Sequence, residues 1–229
     1  SSAEHNIRTT LENIYNEGIG WINYSAHGTE NGWSNPSFNI SKVRQMSNYG
    51  KPSIMIGSCC LTNHFNTATC FGEALLRRSE LCGAVAYIGA TNSTYWDDDF
   101  YWLVGFRQSI TPSMHSDVGI YEALLLGSYD RLFHTHDETA ADRYTTMGGM
   151  IYAGNMAVAE DDWEDYSLLY WEIYMLMGDP SLMPWLGLPK SMTLNYTQPV
   201  SRSTARIEVS TEPYAYVFLT TSDGGTLLD

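Results

Sequence analysis

Basic residues are scarce in this chain of 229 residues, which has 12 lysines and arginines against 26 aspartates and glutamates. The resulting net charge of -14 repels a phosphate backbone, which argues against nucleic acid as a partner. No stretch has the pattern of a signal peptide or the apolar length of a membrane span, so no transmembrane segment is predicted. Only four cysteines are present, two of them adjacent, and they do not form a disulfide framework.

What the chain does contain is a pair of apolar runs that end on reactive side chains. Residues 21–26 lead to His27, and Ile54-Met55-Ile56 lead through Gly57-Ser58 to Cys60. Apolar residues on both faces are typical of strands in a buried parallel sheet, whose carboxyl ends form the crevice where ligands bind. The pattern therefore predicts an α/β fold in which His27 and Cys60 lie at one end of the sheet.

A histidine beside a cysteine can act as a general base beside a nucleophile, because a neighbouring imidazole helps to supply the reactive thiolate. The backbone N–H groups of Gly28 and Cys60 would then form an oxyanion hole. Of the adjacent Cys59 and Cys60, only one can face His27, since neighbouring strand side chains point to opposite sides. Taken singly, each residue also has a purely structural interpretation, as a small core thiol or a packed histidine.

The residues between Tyr24 and Cys60, continued by 70–73, 95–102 and 176–184, resemble the gingipain cysteine peptidases, most closely the lysine-specific members. The similarity extends over about residues 1–190. It implies a caspase-like parallel-sheet three-layer sandwich and a secreted or cell-surface cysteine endopeptidase of a bacterium, a virulence protease. By the same resemblance, His27 is the catalytic histidine and Cys60 is the nucleophile.

Substrate choice is implied by the same resemblance. Asp99 aligns with the acidic residue at the base of the primary specificity pocket, where its carboxylate would pair with a substrate lysine. Tyr95 and Trp96 would form walls for the aliphatic stem, and Ser25 and Ser58 would be small polar contacts. The expected partners are thus proteins and peptides with lysine at the cleavage site.

Three alternatives stay open. The acidic run 97–99, taken alone, predicts a solvent-exposed turn. A carboxylate binds guanidinium as readily as ammonium, so an arginine-directed or dual-specific peptidase is an alternative. A scaffold that binds lysine peptides without cleaving them is another, because the acidic residue that orients the histidine in the family lies upstream of Ser1. We expect a preceding chain of the same precursor to supply that residue, and impaired activity without it.

No cofactor is required for thiol chemistry, but gingipains bind calcium. Glu30 and Glu73 lie near the two catalytic turns in the sequence. With a backbone carbonyl such as that of Phe65, they are candidate ligands of a structural calcium or sodium ion.

The organisation along the chain predicts two parts. Residues 1–189 would be the C-terminal part of the peptidase domain, and residues 190–229, with short alternating strands, the start of an immunoglobulin-like β-sandwich. Spacing and stop signals predict helices over 4–17, 41–47, 71–79, 98–109, 148–159 and 166–177. In the last of these, Tyr170, Tyr174 and Met177 are interpreted as core residues rather than ligands.

Overall fold

The computed structural model of the protein describes residues 2–79, 81–105, 127–129, 146–160, 166–184, 191–196, 206–212, 215 and 217–219. By its internal contacts the chain divides into two compact units, Ser1–Leu186 and Gly187–Asp229. The helices and strands described in the first unit are, in chain order, α1 (Ser2–Glu17), β1 (Trp21–Ser25), β2 (Gly28–Thr29), β3 (Gly32–Ser34), β4 (Ser37–Asn39), α2 (Ile40–Val43), β5 (Ser53–Ser58), α3 (Phe71–Leu76), β6 (Ala84–Ala90), α4 (Trp96–Val104), α5 (Met147–Ala159), α6 (Ser167–Ile173) and β7 (Tyr174–Met177).

The main sheet has the strand order β1-β5-β6-β7. Strands β1, β5 and β6 are parallel, whereas β7 runs antiparallel to β6. Strand β5 is buried along its whole length, as its apolar run predicts. A second, three-stranded antiparallel sheet of β2, β3 and β4 follows His27 directly.

Two hydrophobic cores cover the two faces of the main sheet. Because successive side chains of a strand alternate, Ile54 and Ile56 enter one core and Met55 enters the other. The first core contains residues of α4, α5 and α6, including Trp102 and Met150. The second contains residues of α1, α2 and α3, including Phe71. Helices on both faces give three layers, so the predicted α/β class is confirmed.

The prediction of one helix over 166–177 is wrong in its second half. Helix α6 ends at Ile173, and Tyr174–Met177 forms β7, whose residues pair with β6 from Ala90 back to Tyr87. The backbone groups of this segment are therefore satisfied by a neighbouring strand rather than within a helix. The following Gly178, at φ 140°, ends a strand and not a helix.

Helix α4 starts two residues earlier than predicted and ends sooner. It spans Trp96–Val104, and Gly105 at φ 92° follows it in a conformation that favours glycine. The predicted continuation over 106–109 lies outside the described residues.

In the second unit, β8 (Asn195–Tyr196) pairs antiparallel with β9 (Val209–Ser210). Both lie in the part of the chain, residues 190–229, for which the sequence predicts short strands, and the immunoglobulin-like assignment stays a prediction. Among the helices that the structure describes, none is both long and apolar enough to cross a membrane.

Candidate active site

The parallel register of β1 and β5 places the two candidate catalytic residues at matching positions. Ser25 pairs with Ser58 at the ends of the two strands, and His27 and Cys60 each follow two residues later. Both residues therefore lie at the carboxyl edge of the sheet, on adjacent strands, as the sequence predicts.

Gly28 brings the two turns into contact. A Cβ atom on Gly28 would lie 2.6 Å from the carbonyl oxygen of Cys60 and 2.7 Å from Sγ of Cys59. Real Cβ atoms do not approach other atoms so closely, so only glycine fits here without a shift of the backbone. The absence of a side chain at Gly28 thus lets the histidine turn pack directly on the cysteine turn.

The hairpin after His27 also sets the direction of the Gly28 N–H group. Ser34 N donates to the carbonyl of His27 over 3.0 Å, and Gly28 is the partner of Trp33 in the antiparallel register. Because hydrogen-bonded and non-hydrogen-bonded pairs alternate, the N–H of Gly28 points away from β3. This N–H group does not take part in the hydrogen bonds between β2 and β3, and so it suits an oxyanion hole.

The adjacent cysteines differ sharply in environment. Cys59 is only 1% exposed, and burial raises the pKa of its thiol to about 12. Cys60 is half-buried, and its Sγ accepts a hydrogen bond from the backbone N–H of Thr94 over 3.3 Å. A nucleophile needs access to substrate, which Cys60 offers and Cys59 does not.

Leu61 makes the turn after Cys60 a sharp one. Its φ of 64° is in the left-handed region, which a bulky residue rarely adopts. The N–H of Leu61 donates to the carbonyl of Asn92 over 3.1 Å, so it already has an acceptor within the protein. Strain of this kind is commonly found at functional sites.

The His27 side chain is exposed, while its backbone is anchored. The Tyr24 hydroxyl donates to the His27 carbonyl over 2.8 Å, and the Tyr24 ring stacks on Trp33 with centroids 4.6 Å apart. Within the described ranges, the imidazole has no hydrogen-bond partner.

Asp99 is buried, not solvent-exposed as the acidic run alone predicts. It is 7% exposed, and its carboxylate accepts hydrogen bonds from three hydroxyl groups. Tyr174 donates to Oδ1 over 2.6 Å, Tyr170 to Oδ1 over 2.9 Å and Thr94 to Oδ2 over 2.7 Å. Burial raises the pKa of Asp99 to about 6, although the three hydroxyls act in the opposite direction.

Thr94, Tyr170 and Tyr174 are the site residues that sequence reasoning missed. Thr94 contacts both Cys60 and Asp99, and so joins the candidate nucleophile to the candidate specificity residue. The rings of Tyr170 and Tyr174 lie in the core as predicted, but their hydroxyls reach Asp99. Their spacing of four residues on an apolar segment signalled burial, but not the acid that they meet.

The other predicted pocket residues differ in burial and in contact with Asp99: the Asp99 N–H donates to the Tyr95 carbonyl over 2.9 Å, and Ser58 Oγ lies 3.5 Å from the Asp99 carbonyl. Tyr95 and Trp96 are 42% and 62% exposed, and the Tyr95 ring stacks on Tyr166 with centroids 4.1 Å apart. Ser58 is buried, with Oγ 3.5 Å from the Tyr174 hydroxyl. Ser25 is exposed at the end of β1.

The candidate cation ligands have other contacts. Glu73 accepts a hydrogen bond from Arg77 over 2.5 Å, and the Glu30 carbonyl accepts from the N–H of Phe71 over 2.9 Å. Phe65 is exposed. In the part of the chain that is described, no three His, Cys, Asp or Glu residues cluster to hold a metal. The cation site stays a prediction.

Comparison with known proteins gives one family. Residues 1–185 match Peptidase family C25. Lys-gingipain HG66 of Porphyromonas gingivalis is 35% identical over 220 residues, which are 93% of this chain and 12% of that protein. Gingipain R2 of the same organism is 25% identical over 218 residues, which are 93% of this chain and 26% of that protein. The chain therefore spans a small part of these relatives.

Solved structures agree on the fold. One described as "Structure of Protease" matches with a TM-score of 0.70 and 33% identity, over 86% of this chain and 42% of that one. The arginine-specific cysteine proteinase gingipain R matches with a TM-score of 0.65 over 89% of this chain and 42% of that one; at 22% identity it supports the fold alone.

Proposed function

The chain belongs to peptidase family C25, and from that membership we propose that it is part of a cysteine endopeptidase that cleaves peptide bonds after lysine. The observation that carries the proposal is the contact of Thr94 with both the accessible thiol of Cys60 and the buried carboxylate of Asp99. This contact supports the proposal because it joins an accessible thiol to a carboxylate with which a cationic side chain could pair.

In the proposed mechanism, Cys60 Sγ attacks the scissile carbonyl while His27 takes the thiol proton. The N–H groups of Gly28 and Cys60 hold the negative oxygen of the tetrahedral intermediate. His27 then gives its proton to the leaving amine, which departs and leaves a thioester on Cys60. Water, activated by His27, attacks the thioester and releases the new carboxylate.

Asp99 is the proposed selector of the substrate side chain. Its carboxylate would pair with the lysine ammonium, with Tyr95 and Trp96 along the aliphatic stem and Ser25 and Ser58 as polar contacts. The 35% identity to a Lys-gingipain, against 25% to gingipain R2, favours lysine over arginine. An arginine-directed or dual-specific peptidase is the second candidate, because a carboxylate also binds guanidinium.

Among the described residues no side chain bonds to the imidazole of His27, and this supports a further part of the proposal. An acidic residue from an upstream segment of the same precursor would orient it, since a triad without this member loses several orders of magnitude in rate. The chemistry needs no cofactor. We assign Glu30, Glu73 and the Phe65 carbonyl to a structural calcium or sodium site, and the whole enzyme to the secreted or cell-surface proteins of a bacterium.

The test is turnover of three matched peptides that differ only in lysine, arginine or a neutral residue before the scissile bond. The chain is assayed under reducing conditions with calcium, alone and with the upstream segment added, and Cys60→Ala is the inactive control. Cleavage of the lysine peptide that disappears in Cys60→Ala is the expected result. A folded chain that binds lysine peptide but cleaves nothing, even with the upstream segment, would instead indicate a binding scaffold.

A further inference from the structure

The hydrogen bonds around Asp99 are distributed unequally between its two oxygens. Oδ1 accepts from the hydroxyls of both Tyr170 and Tyr174, whereas Oδ2 accepts from Thr94. A carboxylate oxygen has two lone pairs for hydrogen bonds, so Oδ1 is fully occupied and Oδ2 has one site left.

The two tyrosines are held in this arrangement by their own packing. Their rings stack on each other with centroids 5.3 Å apart, and the Tyr174 ring also stacks on Trp102 at 4.5 Å. The Tyr170 hydroxyl accepts from the N–H of Tyr95 over 3.1 Å. Its one proton has two acceptors within reach, the Tyr95 carbonyl at 3.2 Å and Oδ1 of Asp99 at 2.9 Å, and the shorter contact to the charged carboxylate is the stronger one. A ligand therefore cannot displace these donors without disturbing the core.

Ammonium and guanidinium groups make different demands on a carboxylate. A lysine ammonium is a point charge that is satisfied by one oxygen. An arginine guanidinium gains its advantage from two parallel N–H bonds, one to each oxygen. Since Oδ1 is already filled, the second of these bonds has no acceptor on Asp99.

We infer that Tyr170 and Tyr174 are specificity-determining residues that exclude the two-oxygen mode of arginine binding by occupying Oδ1 of Asp99, and so favour lysine. The inference rests on the proposed function, because it assumes that Asp99 receives the substrate cation. It assigns to two core tyrosines a role that the acidic residue alone cannot fill, since a free carboxylate binds either cation.

The experiment compares Tyr174→Phe and the double variant Tyr170→Phe/Tyr174→Phe with the wild-type chain. Each protein is assayed for turnover of the lysine and arginine peptides and, by calorimetry, for their affinity. For turnover and for affinity, the value for the arginine peptide is divided by the value for the lysine peptide. Both are measured at pH 8.5, where Asp99 is ionised. A ratio within one protein cancels any loss of folded enzyme, and phenylalanine keeps the stacked rings.

We expect the ratio to rise about tenfold in Tyr174→Phe and further in the double variant, the change expected from one added charged hydrogen bond. Thr94→Ala is the matched variant, because it frees Oδ2 and leaves Oδ1 filled; its ratio should stay within about twofold of wild type. Tyr152→Phe, at an exposed tyrosine outside the site, controls for the loss of a hydroxyl as such.

An unchanged ratio in the tyrosine variants overturns the inference, as does an equal rise in Thr94→Ala or binding of neither peptide. Failure of the proposed function has a different signature. In that case turnover is absent from every protein even with the upstream segment added, while the affinity ratio still reports whether the tyrosines discriminate between the two cations.

Discussion

The backbone N–H of Thr94 donates a hydrogen bond to Sγ of Cys60 over 3.3 Å. The side chain of the same residue donates to Asp99 over 2.7 Å, and its Oγ1 is 3.7 Å from Sγ. The backbone contact holds Sγ of Cys60 in position. Thr94 also fixes the distance between the attacking atom and the residue proposed to hold the substrate.

Thr94→Val is expected to lower kcat/KM for the lysine peptide about tenfold, because Oδ2 of Asp99 loses its donor while the shape of the residue is kept. Thr94→Ser restores the hydroxyl and should recover most of that loss. Steady-state kinetics with the lysine peptide gives kcat and KM separately for all three proteins. If serine rescues nothing, the hydroxyl is not what Thr94 contributes.

The two adjacent cysteines should react at very different rates with an alkylating reagent. Cys60 is accessible, whereas burial raises the pKa of Cys59 to about 12 and closes it to solvent. We expect iodoacetamide at pH 7.5 to modify Cys60 in the folded protein and Cys59 only after denaturation. Mass spectrometry of the peptide that contains both residues measures this, with Cys60→Ala as the control. Early labelling of Cys59 in that variant would contradict the assignment of the nucleophile.

Gly28→Ala should disable the site through geometry alone. Its new methyl group would meet the Cys60 carbonyl at 2.6 Å, so the histidine turn must move away from the cysteine turn. A displacement near 1 Å in a catalytic group lowers the rate by about 100-fold, and we expect a loss of at least that size in kcat. Gly20→Ala is the matched control, because a Cβ there meets no atom within 4 Å. Equal activity of the two variants would show that the close approach is not required.

Sequence patterns predict the layers of this fold well, but they predict a helix where the structure has strand β7 of the main sheet. The continuous apolar run of β5 has one reasonable interpretation, and the structure buries all of it. Residues 166–177 are apolar and aromatic in a way that fits either a helix or a buried strand, and periodicity cannot separate the two. The pairing of Tyr174–Met177 with β6 decides the matter, and a neighbour more than 80 residues earlier in the chain leaves no local signal.

In the candidate site, too, the features set by local sequence are predicted and those set by distant residues are not. The ends of β1 and β5 are set by local pattern, which is why the sequence predicts that His27 and Cys60 lie at the same edge of the sheet. The surroundings of Asp99 are not local, since the two tyrosine hydroxyls come from positions 71 and 75 residues away. A run of three aspartates in isolation predicts exposure, and it is the two distant hydroxyls together with that of Thr94 that make the burial of Asp99 tolerable.

The buried carboxylate of Asp99 should make the stability of the protein depend on pH in an unusual direction. Burial raises its pKa from 3.8 to about 6, so between these values the folded chain keeps a proton that the unfolded chain has lost. Folding is then favoured at low pH, and the free energy of unfolding should fall by up to about 3 kcal/mol as pH rises from about 4 to about 6. Urea denaturation of the wild type and Asp99→Asn across this range measures the effect. The fall should be absent from the Asn variant, which cannot titrate, and an identical slope in both proteins would assign it to other groups.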